Sequence, residues 1–250
     1  RDFCLSRGLG DVYKRQVIDD ILDNWVSQSH NGKFHAILAT SSIPEAIKYY
    51  KLFAQRDCGL KTTAVFDPSD GNNESSIEKI DGIAQMLEDY NSLFGTCFNI
   101  SGYASFKRDV CARLAHKTPY TAVENEPSKC LDILIVVDQM LTGYDSKWLN
   151  TLYMDKFYKW SNIEMIIQAF SRTNRVFNDD KPHGIIRYYR RPYTMKNIIE
   201  YAFEQYSGQK PYGIFVAKLI QNLENMNAAF SDINDIFKIA GIPDFFKTSR

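Results

Sequence analysis

The sequence has no excess of charge of either sign: 30 lysines and arginines balance 30 aspartates and glutamates over 250 residues. That excludes the strongly basic arm by which composition alone announces a nucleic-acid binder, although not a local basic groove. Cysteine is scarce and scattered. Cys4, Cys58, Cys97, Cys111 and Cys130 include no C-x-x-C pair, which argues against a zinc site or a disulfide framework and predicts reduced thiols. The four histidines (His30, His35, His116, His183) are too dispersed for a metal site. No apolar run approaches the ~18 residues of a membrane span, and no apolar h-region with a small-residue cleavage site opens the chain. A cytoplasmic location without a membrane partner is the expectation. Also missing are a G-x-x-x-x-G-K-[ST] phosphate loop, a D-E-x-[HD] acidic box, internal repeats and low-complexity tracts.

What is present suits a folded chain: 44% hydrophobic and 14% aromatic residues, enough for one large domain or two small ones. Residues 1–16 lack a clear period, and the texture changes sharply at Val17. One choice of codons for Asp11 to Gln16 spells a transposon end used in sequencing libraries. Residues 1–16 are therefore expected to be translated adapter, and the chain to be a fragment at both ends.

From Lys33 onward, short apolar runs alternate with amphipathic stretches, the pattern of β-α units building a parallel sheet. Strands are predicted over Phe34–Ala39, Thr62–Phe66, Leu131–Val137, Thr151–Met154 and Gly184–Tyr188. Capping boxes at Ser42-Ile43-Pro44-Glu45, Ser75-Ser76-Ile77-Glu78 and Ser161-Asn162-Ile163-Glu164 predict three helix starts. The region from about Asn73 to Glu126 is longer than a simple crossover and holds a further helix over Ala104–His116. The expected fold class is α/β, a RecA-like parallel sheet flanked by helices over residues 17–192, followed by a helical segment over 193–250. Ligands of such sheets bind outside the carboxyl ends of the strands, which singles out Ala39–Ser42, Val137–Asp145 and Asp155–Asn162.

Three features could carry chemistry. A helix over Asn162–Thr173, continued to Arg175, would put Gln168, Arg172 and Arg175 within about 60° of arc, opposite Ile163, Ile166, Ile167 and Phe170. Two arginines a turn apart form a clamp for polyphosphate; a solvated face with chance arginines is the alternative. The run Val136 to Asp145 ends a buried strand in a loop where Thr142-Gly143 admits a ligand to the backbone and Asp145 offers an acceptor. Taken alone, the run is better explained by a turn that needs glycine, with Asp145 capping the next segment. Ser41 and Ser42 follow the first strand and could meet a phosphate at a helix N-terminus, or simply cap that helix.

In chain order the three resemble motifs IV, V and VI of superfamily 2 helicases. The runs LDILIVVDQMLTGYDSKWLNTLYMDK, IIQAFSRTNRVF and KPHGIIRYYRR, with KFHAILATSSIPEAIKYYKLF before them, look like the second RecA-like motor domain of the restriction (R) subunit of type I restriction enzymes. The resemblance covers roughly Val17 to Arg191. It implies that Arg172 and Arg175 reach the ATP γ-phosphate across a cleft between two motor domains, with Gln168 helping to organise the nucleotide. It implies motif V roles for Gly143 and Asp145, the latter near the ribose, and DNA-backbone contacts for Thr142, Ser41 and Ser42. The cofactors implied are ATP and Mg2+, bound mainly by an upstream motor domain. The partners implied are double-stranded DNA and the modification (methyltransferase) and specificity subunits. Asp145–Lys147 and Asp179–Lys181 match the carboxylate-x-Lys tripeptide of the family's nuclease, but neither has a partnering acid and neither is given that role. The expected function is a share of an ATP-dependent DNA-translocating motor in a type I restriction endonuclease, inactive by itself. A superfamily 2 helicase without nuclease activity and a non-catalytic RecA-like adaptor are the alternatives.

Overall fold

Five short apolar runs align side by side to build the centre of the molecule. In the computed structural model, which describes residues 2–56, 58–67, 76–137, 141, 144–177, 179–206 and 219–239, they are β1 (His35–Thr40), β2 (Thr62–Val65), β3 (Ile133–Val136), β4 (Leu149–Asp155) and β5 (Ile185–Tyr188). All pairings are parallel, in the order β2-β3-β1-β4-β5. Strands β1, β3 and β4 are buried at every position, as expected of a parallel sheet covered on both faces. Each predicted strand is present. β4 is longer than its apolar core suggests, because Asn150 and Asp155 are buried with hydrogen-bond partners.

The helices are α1 (Asp2–Gln28), α2 (Ile43–Ala54), α3 (Ser76–Phe94), α4 (Tyr103–Leu114), α5 (Ile163–Ser171), α6 (Pro192–Tyr206) and α7 (Leu219–Ile239). Helix α2 starts as its capping box predicts: Ser42 Oγ accepts the Glu45 backbone N–H at 3.4 Å and Pro44 lies in the first turn. The second capping box begins at Ser75, outside the described residues. The third does not form, since a 3-10 turn over Trp160–Asn162 precedes α5 and no side chain caps it. The long region before β3 holds α3 and α4, fastened by buried Arg113. Its guanidinium donates to Tyr90 Oη at 3.0 Å, to Tyr120 Oη at 2.9 Å and to the Lys129 carbonyl at 2.8 Å.

Residues 2–16 continue α1, whose buried apolar side chains are Val17, Ile18, Ile21 and Trp25. The chain divides into two compact units, Arg1–Ala202 and Phe203–Arg250. Met195, Ile198, Ile199 and Ala202 of α6 are buried in the first. Helix α7 lies in the second, with Met226, Phe230, Ile233, Ile236 and Ile239 exposed.

Candidate functional site

The polar residues of interest collect at two opposite edges of the sheet. At the edge where strands begin, the segment leading into β4 is pinned by buried side chains on both sides of Asp145. Tyr144 Oη lies 3.1 Å from Nε2 of His35, the first residue of β1. Ser146 Oγ donates to the carbonyl of Leu114 at 3.3 Å and accepts the Trp148 N–H at 3.1 Å. Asp145 itself stays exposed. Burial pushes the Tyr144 phenol up and holds the His35 imidazole well below its ordinary value, so the pair is uncharged at neutral pH.

Helix α5 leaves the exit end of β4 and runs back toward the strand beginnings, bringing the arginines to the same edge. It packs on the sheet through Ile166, Ala169 and Phe170 and leaves Gln168 exposed. The helix ends at Ser171, however, so the single polar stripe through Gln168, Arg172 and Arg175 does not form. Thr173 is the reason: it is buried, its hydroxyl back-bonds to the Phe170 carbonyl at 3.0 Å, and Gly184 packs directly against it. Arg172 becomes the C-cap, half-buried, with Nη1 donating to the Tyr144 carbonyl at 3.1 Å and Nε buried without a partner among the described residues. Arg175 lies past the helix and donates from Nε to Asp145 Oδ1 at 2.8 Å. The expected motif V and motif VI residues thus meet, by a backbone contact and an ion pair, at the end of the sheet opposite to the expected one. Thr142 and Gly143 lie outside the described residues.

The strand-exit edge carries Ser41 and Ser42. Ser41 is exposed and donates to the Asp155 carbonyl at 3.3 Å, whereas Ser42 serves as the α2 cap. Beneath them Asp155, fully buried, accepts from Tyr49 Oη at 2.7 Å and from Arg190 Nε at 2.8 Å. Tyr13 Oη adds a third bond at 2.8 Å. Arg190 also reaches Glu45 at 2.5 Å, and Lys14 reaches Glu45 at 3.2 Å. Burial alone would raise the Glu45 carboxyl, but the bonds from Arg190 and the charge of Lys14 hold it below its usual range. Burial opposes the Arg190 charge as well, and its bonds to Asp155 and Glu45 raise it nonetheless. Around this network Lys159, Arg191 and Trp160 are exposed, and Arg191 stacks 5.1 Å from the Phe157 ring.

Sequence reading assigns no part to Tyr49, Tyr144 or Arg190, marks Asp155 only as the start of a strand exit, and marks Lys181 only as the end of a carboxylate-x-Lys match. An aspartate closing an apolar run, as Asp155 does, was the available signal for one of them. Their partners are distant in the chain, up to 145 residues for Glu45 and Arg190, which spacing rules do not reach.

Comparison with known proteins identifies the family. Residues 32–191 match the family described as type I restriction enzyme subunit R domain 3. The SsaAORF53P endonuclease subunit of a type I restriction enzyme from Staphylococcus saprophyticus is 33% identical over 191 residues, covering 73% of this chain and 19% of that protein. The SauMRSORF196P endonuclease subunit from Staphylococcus aureus is 32% identical over 190 residues, covering 73% and 19%. The HindI endonuclease subunit from Haemophilus influenzae is 42% identical over 60 residues, 24% of this chain and 5% of that protein. The chain thus spans about a fifth of the length of the relatives that match it over most of its residues. With its five-stranded parallel RecA-like sheet, the chain belongs to the family of restriction (R) subunits of type I restriction enzymes.

Proposed function

We propose that the chain supplies the second motor domain of an ATP-driven DNA translocase within a type I restriction endonuclease and is inactive without the rest of the subunit. The observation that carries this reading is the gathering of Asp145, Arg172 and Arg175 on one edge of the sheet. Two guanidinium groups there suit a polyphosphate. Arg175 is half exposed, and Arg172 keeps a buried Nε donor without a partner among the described residues, a cost of about 1–3 kcal/mol that an anionic oxygen or a side-chain shift would relieve. ATP, with Mg2+ held mainly by the upstream motor domain, would supply the free energy of phosphoanhydride cleavage. Arg172 and Arg175 would stabilise the charge that grows on the transferred phosphoryl group, as planar donors fixed before the reaction. Gln168, one turn before Arg172, would orient groups around the nucleotide, and Asp145 would accept from a ribose hydroxyl once Arg175 releases it.

The opposite edge would face double-stranded DNA. Ser41 would approach the phosphate backbone, and the exposed Lys159 and Arg191 add cationic groups at that edge. Backbone contacts hold a track without reading its sequence, which suits movement along DNA. Sequence recognition and methylation would belong to the specificity and modification subunits of a cytoplasmic complex. The reading is tested in the complete R subunit with Arg172→Ala and Arg175→Ala. DNA-stimulated ATP hydrolysis should disappear while duplex binding stays nearly intact; unchanged turnover would remove both arginines from the site.

A further inference from the structure

Lys181 is a buried cation that the reading above leaves without a task. Its side chain is 1% exposed. Nζ donates to two carbonyls, that of Arg175 at 2.5 Å and that of Lys147 at 3.2 Å, and no carboxylate pairs with it among the described residues. The backbone of Lys181 forms a two-bond antiparallel bridge with Phe177, at 3.0 and 3.1 Å. Phe177 in turn packs on Trp148 and Phe34, ring centres 4.5 and 5.5 Å away. The bridge therefore sends the ammonium inward, under the segment that carries Arg175.

Burying a charge against neutral dipoles is unfavourable, and an apolar side chain of similar volume would usually serve packing as well or better. The burial is felt: it pushes the Lys181 ammonium down to about 8, with the charge of Arg175 adding to the effect. What an apolar side chain lacks is the ability to tie two backbone segments together. Here the segments are those flanking the Asp145–Arg175 pair, Lys147 two residues after Asp145 and Arg175 itself.

We infer that Lys181 is a positioning residue, whose ammonium clamps the strand-entry loop of Asp145 to the segment after α5 and so fixes where the Arg175 guanidinium is presented. The inference rests on the proposed role of Arg175 in phosphoryl transfer. A finger that stabilises a transition state acts through placement, and a shift of its backbone lowers turnover with little change in the binding of substrate.

The test uses the complete R subunit with duplex DNA. Lys181→Met keeps the stem and removes the donors. Its kcat for ATP hydrolysis should fall about tenfold or more, with KM for ATP and DNA affinity within about twofold of the parent, the pattern of a lost transition-state interaction. Lys181→Gln, which retains an N–H donor, should recover part of the loss. In an Arg175→Lys background the further change to Met should cost less than about twofold, because residues acting through one another are non-additive. Unchanged kcat in Lys181→Met, or equal losses in both backgrounds, would overturn the inference. So would collapse of both the Met and Gln variants, since the ammonium would then be holding the fold rather than the guanidinium. Normal turnover in Arg175→Ala would instead defeat the proposed function, so the two failures are distinguishable.

Discussion

Arg175 Nε lies 2.8 Å from Asp145 Oδ1, and both side chains are more than half exposed, at 51% and 65%. An exposed pair of this kind contributes only about 0–1 kcal/mol, because water screens the attraction and two long side chains lose freedom. It is a weak resting contact that a better anion can replace. Asp145→Asn should therefore change the unfolding free energy by less than about 1 kcal/mol in urea titrations. A loss above about 3 kcal/mol would mean that the pair behaves as buried structure rather than as an exchangeable contact.

The Asp155 network should behave in the opposite way. Its carboxylate is fully buried and bonded to Tyr49 and Arg190. Asp155→Ala removes the acceptor and strands the partners, which for buried ionic groups costs about 3–5 kcal/mol. Tyr49→Phe deletes one bond to a charged acceptor and should cost less, about 1.5–3 kcal/mol. Chemical denaturation of both variants checks the order, and a Tyr49→Phe loss equal to that of Asp155→Ala would contradict it.

These two sites show what local pattern conveys. The strands of Phe34–Ala39 and Leu131–Val137 are legible because continuous apolar runs of that length have few other homes, and Ser42 is legible as a cap because capping is settled within four residues. The end of α5 is not legible. Helical periodicity carries straight through Arg175, and what stops the helix is Thr173 packing on Gly184, eleven residues away and on the approach to another strand. The edge on which Asp145 sits was misread for a related reason. The rule for strand exits locates the start of the 137–145 loop, whereas Asp145 stands at its far end, pinned by Tyr144 to His35 and by Ser146 to Leu114.

Three bases shifted down by burial act on the two flanks of a pH profile. Burial holds His35 well below its usual value, and burial with the charge of Lys147 brings His116 down to about 4. Each binds a proton more readily unfolded than folded, so each contribution is complete above about 6.5 and fades as pH falls toward the folded value. Lys181, pushed down to about 8, also holds its proton more readily unfolded, and its contribution therefore grows between about 8 and 10.4 as pH rises. Melting temperature should drop from pH 7 to pH 4. Lys181→Met should remove the alkaline rise specific to this residue, and an identical alkaline slope in that variant would refute the assignment.

Gly184 offers a test of the contact that ends α5. A Cβ added there would fall against the Thr173 side chain and 2.5 Å from its carbonyl oxygen, where backbone has little room to yield. Overpacking of this kind costs about 1–3 kcal/mol, sometimes more. Gly184→Ala should lower stability by that amount, and pairing it with Thr173→Ala should recover only the part caused by the side chain. Full recovery in the double variant would show that the backbone is free to move.

The opening helix can be tested by shortening the chain. Among the described side chains of α1, the buried apolar ones all follow position 16, and its last residue, Gln28, accepts from Asn150 at 2.5 Å and from Tyr153 at 2.7 Å. Before Val17, the contacts at stake among the described residues are Tyr13 with Asp155, Lys14 with Glu45 and the Tyr49 ring, and Asp11 with Lys48; Asp155 and Glu45 keep Arg190 when these are gone. A chain beginning at Val17 should therefore fold, losing about 1–3 kcal/mol. At about 2–4 °C per kcal/mol for a domain of this size, the melting temperature should fall by roughly 2–12 °C. A chain beginning at Ser29 loses Val17, Ile18, Ile21 and Trp25 together. Each buried side chain of that size is worth about 1.5–3 kcal/mol, so their sum rivals the ~5–15 kcal/mol that holds a domain folded. That shorter chain should not fold. Failure of the Val17 chain would make residues 2–16 part of the working structure and remove the case for treating them as translated adapter.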